Sequence, residues 1–254
     1  MGDGKMKIIM SEDCRELGGK AGAAAAACIR EAIHRNGKAR VVLSTGASQF
    51  ETLEALTAAD IRWDKVEMFH LDEYIGLSDT HPASFRKYLR ERVIAKVPLG
   101  LFHLIDGDGD FKANLTRVTE ALLAEPIDVA LIGIGENGHI AFNDPPADFE
   151  TREPFLIVTL DEACRRQQLC EGWFPTLADV PAKAITMSVH RIMQSRRILS
   201  PVPHAVKAAA IRATLGGSPS PSLPATMLKT HPDMTLFLDL NSASLTDPRV
   251  LALF

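Results

Sequence analysis

Asp128-Val129-Ala130-Leu131-Ile132 runs without a break into Gly133-Ile134-Gly135-Glu136-Asn137-Gly138-His139-Ile140-Ala141-Phe142-Asn143-Asp144. The first five residues read as a strand, because a short apolar run is what a strand buried on both faces of a parallel sheet presents. The three glycines that follow let the backbone turn sharply. A histidine, two asparagines and an aspartate then arrive close to the strand end. In open α/β sheets that end is where ligands sit, so the stretch reads as an active-site loop.

Strands alternate with helices on both sides of it. Upstream, residues 7–10, 40–43, 65–71 and 102–105 read as strands, and 21–34, 49–59, 83–93 and 111–124 as helices. Ser48 followed three residues later by Glu51 is a capping-box signature for the helix over 49–59. Downstream of Pro145-Pro146, residues 155–160, 184–189, 197–199 and 235–239 read as strands, the last closing the sheet. Helices are predicted from Asp161 and over 206–215, and 216–222 is a surface loop. This alternation predicts an α/β fold, a Rossmann-like three-layer domain with a mainly parallel sheet and helices on both faces. With no repeat, low-complexity tract or linker, residues 1–254 are expected to form one domain, with a small lid around 145–185.

Composition sets outer bounds. A content of 46% apolar residues among 254 supports a sizeable core. The formal net charge is −4 and no basic stripe stands out, which disfavours nucleic acid. No apolar run is long enough to span a bilayer. Met1-Gly2-Asp3-Gly4-Lys5 is followed by no apolar signal core, and Met6 fails the acylation motif that Gly2 would otherwise raise. Cys14, Cys28, Cys164 and Cys170 show no CxxC spacing and read as reduced thiols of a cytoplasmic protein.

Several segments carry candidate chemistry. Gly133-x-Gly135-x-x-Gly138 matches a dinucleotide fingerprint literally, yet Asn143-Asp144-Pro145-Pro146 leaves barely one turn where the fingerprint needs a helix. No nicotinamide cofactor is therefore expected. Asn143 alone reads best as a structural turn residue, whereas His139, Asn137 and Asp144 together favour catalysis. Ser44-Thr45-Gly46-Ala47-Ser48 sits between a strand and a helix, where backbone N–H groups suit a phosphate. An ordinary capped turn fits it equally well. Asp72-Glu73 leaves a strand at the same sheet edge, with one of the two acids facing the cleft. A partly buried carboxylate there can serve as a general base. His70-x-Asp72-Glu73 could also be read as metal ligands, but no second ligand cluster supports this and no metal is predicted. The remaining histidines read as structural. Lys207 and Arg165 read, by composition alone, as solvated cations.

Taken together these loops resemble the glucosamine-6-phosphate deaminase (isomerase) family, which shares a superfamily with 6-phosphogluconolactonases. The resemblance spans most of the chain. It rests on Leu43-Ser44-Thr45-Gly46, on Phe69-His70-Leu71-Asp72-Glu73-Tyr74-Ile75-Gly76-Leu77 with His81-Pro82-Ala83-Ser84-Phe85, and on the 133–144 loop. Lactonases typically read Gly-x-Gly-x-Asp-Gly-His-Thr-Ala-Ser-Leu-Phe-Pro, whereas Ile140-Ala141-Phe142-Asn143-Asp144-Pro145 is similar to the deaminase form. The family usually has glutamate at the position of Asp144, and some members carry aspartate at Asn137. A catalytic contact misplaced by about 1 Å can cost roughly a hundredfold in rate. Asp144 therefore implies a shifted loop or a different sugar phosphate.

The resemblance implies aldose–ketose isomerisation with loss of ammonia from an amino-sugar 6-phosphate. It implies Asp72 as base, and His139 as the ring-opening group, held by Asp144 and Asn137. It implies a phosphate cradle of Ser44, Thr45, Gly46, Ala47 and Ser48, countered by Lys207 and Arg165. No cofactor is implied, and a homo-oligomer is left open. The residues after the loop offer Arg152 but not the serine and two basic residues of regulated members, so no activation by an acetylated amino-sugar phosphate is expected. Lactone hydrolysis, the galactosamine epimer as substrate, and a non-catalytic sugar-phosphate-binding protein remain the competing readings.

Overall fold

The computed structural model describes residues 6–254. Residues 1–5, on which the reading of the amino terminus for targeting falls, lie outside the described part. In chain order the elements are β1 (Lys7–Ser11), α1 (Cys14–Asn36), β2 (Ala39–Leu43), α2 (Phe50–Thr57), β3 (Val66–His70), β4 (Asp72–Tyr74), α3 (Phe85–Leu89), β5 (Leu101–Phe102), α4 (Phe111–Ala124) and β6 (Val129–Leu131). Then follow β7 (Phe155–Thr159), α5 (Glu162–Cys170), β8 (Lys183–Met187), α6 (Val189–Met193), β9 (Ile198–Val202), α7 (Ala208–Gly216), β10 (Met234–Asp239), α8 (Leu240–Ala243) and α9 (Pro248–Leu251).

Seven strands form one sheet in the order β1-β10-β9-β6-β2-β3-β5, and every pairing in it is parallel. Side chains alternate across it, as the period of two in a strand requires. On β2, Val41 and Leu43 enter a core shared with α1 and α2, while Val42 enters the core on the other face. Both layers of helices are thus present and the three-layer reading holds. The chain leaves β2 toward β3 and β5, and leaves β6 toward β9 and β10. Adjacent strands β2 and β6 therefore flank the topological switch point, where doubly wound sheets open a crevice.

α1 begins earlier than its alanine-rich part announces. Asp13 caps it, with Oδ1 accepting from the Glu16 N–H at 2.8 Å. Gly18 and Gly22 lie in this first half and face α2. A Cβ on Gly18 would sit 2.3 Å from the Glu51 Cβ, and one on Gly22 would sit 2.7 Å from the Ala55 Cβ. These glycines lower helix propensity but allow two helices to touch.

A second, antiparallel sheet of order β4-β8-β7 stands beyond the carboxyl edge of the first. It contains β4, which the sequence presents only as residues leaving β3. With α5 it encloses a smaller core around Tyr74, Phe142, Cys164 and Phe174. Two further expectations are corrected. β10 does not close the sheet, because β1 pairs on its outer side as the edge strand. Ser48 does not cap the second helix: a 3₁₀ turn over Ala47–Gln49 precedes α2, whose N-cap residue is Gln49, and the Ser48 hydroxyl instead accepts from Gln49 Nε2 at 3.1 Å.

Candidate functional site

The loops after β2, β3, β6 and β9 meet in one cleft of about 570 Å³, open to solvent at the switch point. Ser44, Asp72, His139 and Lys207, read from four separate stretches of sequence, all line it.

The loop after β2 forms one wall through Ser44, Thr45, Gly46 and Ser48. Gly46 has φ 99°, a conformation that a side chain would strain. The Tyr88 hydroxyl donates to the Gly46 carbonyl at 2.9 Å, and Gln49 Nε2 donates to the Pro201 carbonyl at 3.2 Å, fixing the loop against β9. The Ser44 hydroxyl is buried without a partner. Ala47 falls in the 3₁₀ turn and is not part of the wall. The same cleft is lined by Lys207, only 6% exposed, at the start of α7. Burial pulls its pKa down, and the carboxylates of Glu171 and Glu136 counter this. The preceding turn is pinned by His204, at φ 80°, whose N–H donates to Asp239 Oδ2 at 3.1 Å. A buried ammonium and an unpaired hydroxyl facing one cavity suit an anion.

The adjacent acids divide as their strand geometry dictates. Asp72 lines the cleft and is 6% exposed. Burial, with the Glu73 charge adding to it, raises its pKa well above the usual carboxylate range. Glu73 points the other way and is fully buried. Its Oε2 accepts from Ser84 Oγ at 2.9 Å, from the Arg86 N–H at 3.0 Å and from Arg86 Nε at 3.2 Å. Glu73 is therefore an internal anchor for the start of α3. His70 is equally committed: its Nε2 accepts from the Ile105 N–H at 2.7 Å, and burial, reinforced by Arg86, lowers its pKa to about 3. Among the described residues, His70, Asp72 and Glu73 do not bring ligand atoms together into a group that could hold a metal ion.

In the loop after β6, His139 is 8% exposed. Its ring lies on Gly135, where a Cβ would come within 2.3 Å of Nε2 and Cε1. This close approach is what the second glycine of the loop provides. On the other edge, Nδ1 is 3.2 Å from Asp144 Oδ1, within ion-pair range but without the alignment of a hydrogen bond. The shorter aspartate thus reaches the imidazole. Its Oδ2 accepts from the Asp161 N–H at 3.4 Å, which ties it to the head of α5. Asn137 acts on the loop rather than on the ring, accepting from the His139 N–H at 3.0 Å. Asn143 is structural, as its turn position predicted: Nδ2 donates to the carbonyls of Ile140 at 2.8 Å and Met187 at 2.9 Å.

Arg165 is not brought to the cleft. Its Nη2 donates to the carbonyls of Leu177 at 2.7 Å and Val180 at 3.1 Å, clasping the connection that leads to β8. The face of α5 and its end contribute Gln167, Gln168 and Glu171 to the cleft instead. Sequence reading missed these three, since polar residues on a helix carry no signal of what they face. Gln168 is oriented by the Tyr74 hydroxyl, which donates to its Oε1 at 2.7 Å. All four cysteines are free thiols. No helix among the described residues is long and apolar enough to cross a membrane.

The fold and the cleft define a doubly wound α/β protein whose switch point gathers a buried lysine, an unpaired serine hydroxyl, a carboxylate and an imidazole. A family model described as glucosamine-6-phosphate isomerases/6-phosphogluconolactonase matches residues 12–237, and the chain belongs to that family. It is similar to the glucosamine-6-phosphate deaminase of Latilactobacillus sakei, 34% identical over 206 residues, covering 80% of this chain and 85% of that one. It is also similar to the glucosamine-6-phosphate deaminase of Lactobacillus delbrueckii, 32% identical over 243 residues, covering 94% and 99%. Among solved structures, a monomeric glucosamine-6-phosphate deaminase superposes with a TM-score of 0.85 at 31% identity, covering 94% of this chain and all of that one. A 6-phosphogluconolactonase from Shewanella baltica shares the fold, with a TM-score of 0.73 at 20% identity, covering 92% of this chain and 98% of that one.

Proposed function

We propose that this protein isomerises and deaminates an amino-sugar 6-phosphate, converting glucosamine 6-phosphate and water to fructose 6-phosphate and ammonia. The observation that carries the reading is the meeting of Asp72, His139, Ser44 and Lys207 in one cleft. Relatives at 32–34% identity that are named glucosamine-6-phosphate deaminases support it.

In this reading the phosphate rests on the loop of Ser44, Thr45, Gly46 and Ser48 and is countered by Lys207. Arg165 takes no part. His139 opens the pyranose by moving a proton between the anomeric hydroxyl and the ring oxygen, with Asp144 behind it and Asn137 holding the loop. Asp72 removes the proton from C2 of the open chain, giving an enolamine, and returns it to C1. The C2 imine so formed is hydrolysed by water to the ketone and ammonia. A general base so placed contributes about 10²–10⁴-fold. None of these steps calls for a metal or a nucleotide. The segment around 145–185, through α5, covers the cleft as a lid within a single domain of 1–254.

An ammonia assay tests this with glucosamine 6-phosphate, galactosamine 6-phosphate and 6-phosphogluconolactone side by side. Ammonia from the first supports the proposal, and ammonia from the second alone reassigns the epimer. Lactone turnover without ammonia, or tight sugar-phosphate binding without any product, contradicts it. Lys207→Ala is expected to raise KM far more than it lowers kcat; unchanged affinity would remove Lys207 from the phosphate site.

A further inference from the structure

The back of the His139 ring holds more than the Asp144 carboxylate. Cys164, 1% exposed on the first turns of α5, brings its thiol to the same place. His139 Nδ1 or Nε2, an Asp144 carboxylate oxygen and Cys164 Sγ all lie within 4.8 Å of one another. Nδ1 of His139 and Oδ1 of Asp144 are buried there without a hydrogen-bond partner. Both side chains are nine-tenths buried.

We propose that this triad is an inhibitory binding site for a thiophilic divalent cation of the zinc class. A donor set of one imidazole nitrogen, one thiolate and one carboxylate oxygen selects zinc over magnesium or calcium, which prefer oxygen alone. Tetrahedral zinc holds such donors roughly 3.3–3.8 Å apart, given ligand distances of about 2.0–2.3 Å. The 3.2 Å between Nδ1 and Oδ1 is already close to this. The thiol has to move by about 1.5 Å at most. Three protein ligands leave a fourth position for water. On binding, the thiol proton departs to solvent and the sulfur lone pair takes the metal.

The consequence follows from which ring nitrogen is used. A cation on Nδ1 fixes the neutral imidazole with its remaining hydrogen on Nε2, the edge lying over Gly135 at the cleft. Such a ring has no lone pair left to accept a proton. The sugar phosphate still binds, but the ring-opening proton transfer stops, so the metal lowers kcat and leaves KM nearly unchanged. This inhibitory half rests on the role given to His139 under the proposed function; binding of the metal does not.

The two halves are tested separately. Cobalt(II) added to the purified protein is expected to bind one equivalent and to show thiolate-to-metal charge-transfer absorption in the near ultraviolet. Cys164→Ala should abolish that absorption, and Asp144→Asn should weaken cobalt affinity by at least the roughly 10–100-fold that loss of an outer partner costs, while Cys170→Ala changes neither. If Cys164→Ala is poorly folded, Cys164→Ser replaces it. Zinc(II) is expected to depress kcat at least about tenfold in the parent protein, reversibly by chelation, and to leave the turnover of Cys164→Ala unaffected at the same concentration. Charge-transfer absorption that persists in both Cys164 variants overturns the site. Zinc binding that leaves turnover intact, or that raises KM instead of lowering kcat, overturns the inhibitory role. Absence of ammonia release without any metal would count against the deaminase reading alone, because the absorption is read without substrate.

Discussion

Burial disfavours the charged form of a carboxylate, and Asp72 is buried beside a second one, so its pKa stands well above the usual range. The native state therefore binds this proton more tightly than the unfolded chain does. Ionising Asp72 costs stability as pH rises from the ordinary carboxylate value, about 3.9, toward the folded one. Asp72→Asn is predicted to abolish turnover, to spare sugar-phosphate binding and to raise the melting temperature at neutral pH. The same shift places the acidic limb of the kcat/KM profile above the ordinary carboxylate value, with the rate falling as pH falls through it. Near-normal turnover in the variant, or a limb at the ordinary value, would reassign the base. Gly135 offers a second test at this scale. Its Cβ in Gly135→Ala would press on His139 from 2.3 Å, and a displaced ring is expected to lose about a hundredfold in kcat. Full activity would show that the imidazole has room to spare.

At the scale of elements, the site depends on β4 and α3 being locked together. Glu73 and Arg86 are both buried, and Arg86 also donates to the Leu77 carbonyl at 2.6 Å and pairs with Asp106. Removing one member of a buried pair strands the other, so Glu73→Ala is predicted to cost about 3–5 kcal/mol. A urea midpoint checks this; a cost below about 1 kcal/mol would place the pair among the weak surface bridges. The same elements show where the sequence was legible and where it was not. That only one of Asp72 and Glu73 would face the cleft followed from the strand before them. That they form a strand did not, because a period of two cannot be read in three residues and the partner, β8, lies more than a hundred positions away. The early start of α1 was hidden by Gly18 and Gly22, which weaken helix propensity in order to let α2 approach. The capping signature of Ser48 misled because Ser48 already lies inside a 3₁₀ turn, and its hydroxyl accepts from Gln49 Nε2 rather than from the first free N–H groups of α2.

For the whole molecule, the parallel sheet and its two helical layers were legible from the alternation of apolar runs and helical spacing. Strand order was not, since nothing local in β10 says that β1 will pair outside it. The cleft was legible as three polar loops at strand ends. Its far wall was not: α5 turns Gln167, Gln168 and Glu171 toward the cavity and Arg165 toward the carbonyls of Leu177 and Val180, a choice made by the second sheet rather than by the residues themselves. The switch point between β2 and β6 is what makes these separate loops one site. The central claim is that Asp72 carries a proton from C2 to C1 of one bound sugar there. The most direct measurement is turnover of glucosamine 6-phosphate in heavy water, followed by NMR of the fructose 6-phosphate formed. Deuterium at C1 in part of the product, from exchange of the Asp72 proton with solvent between the two transfers, and no product when Asp72→Asn is used, are the predicted results; labelled product formed at the parent rate by Asp72→Asn, or no ammonia at all, would contradict the claim.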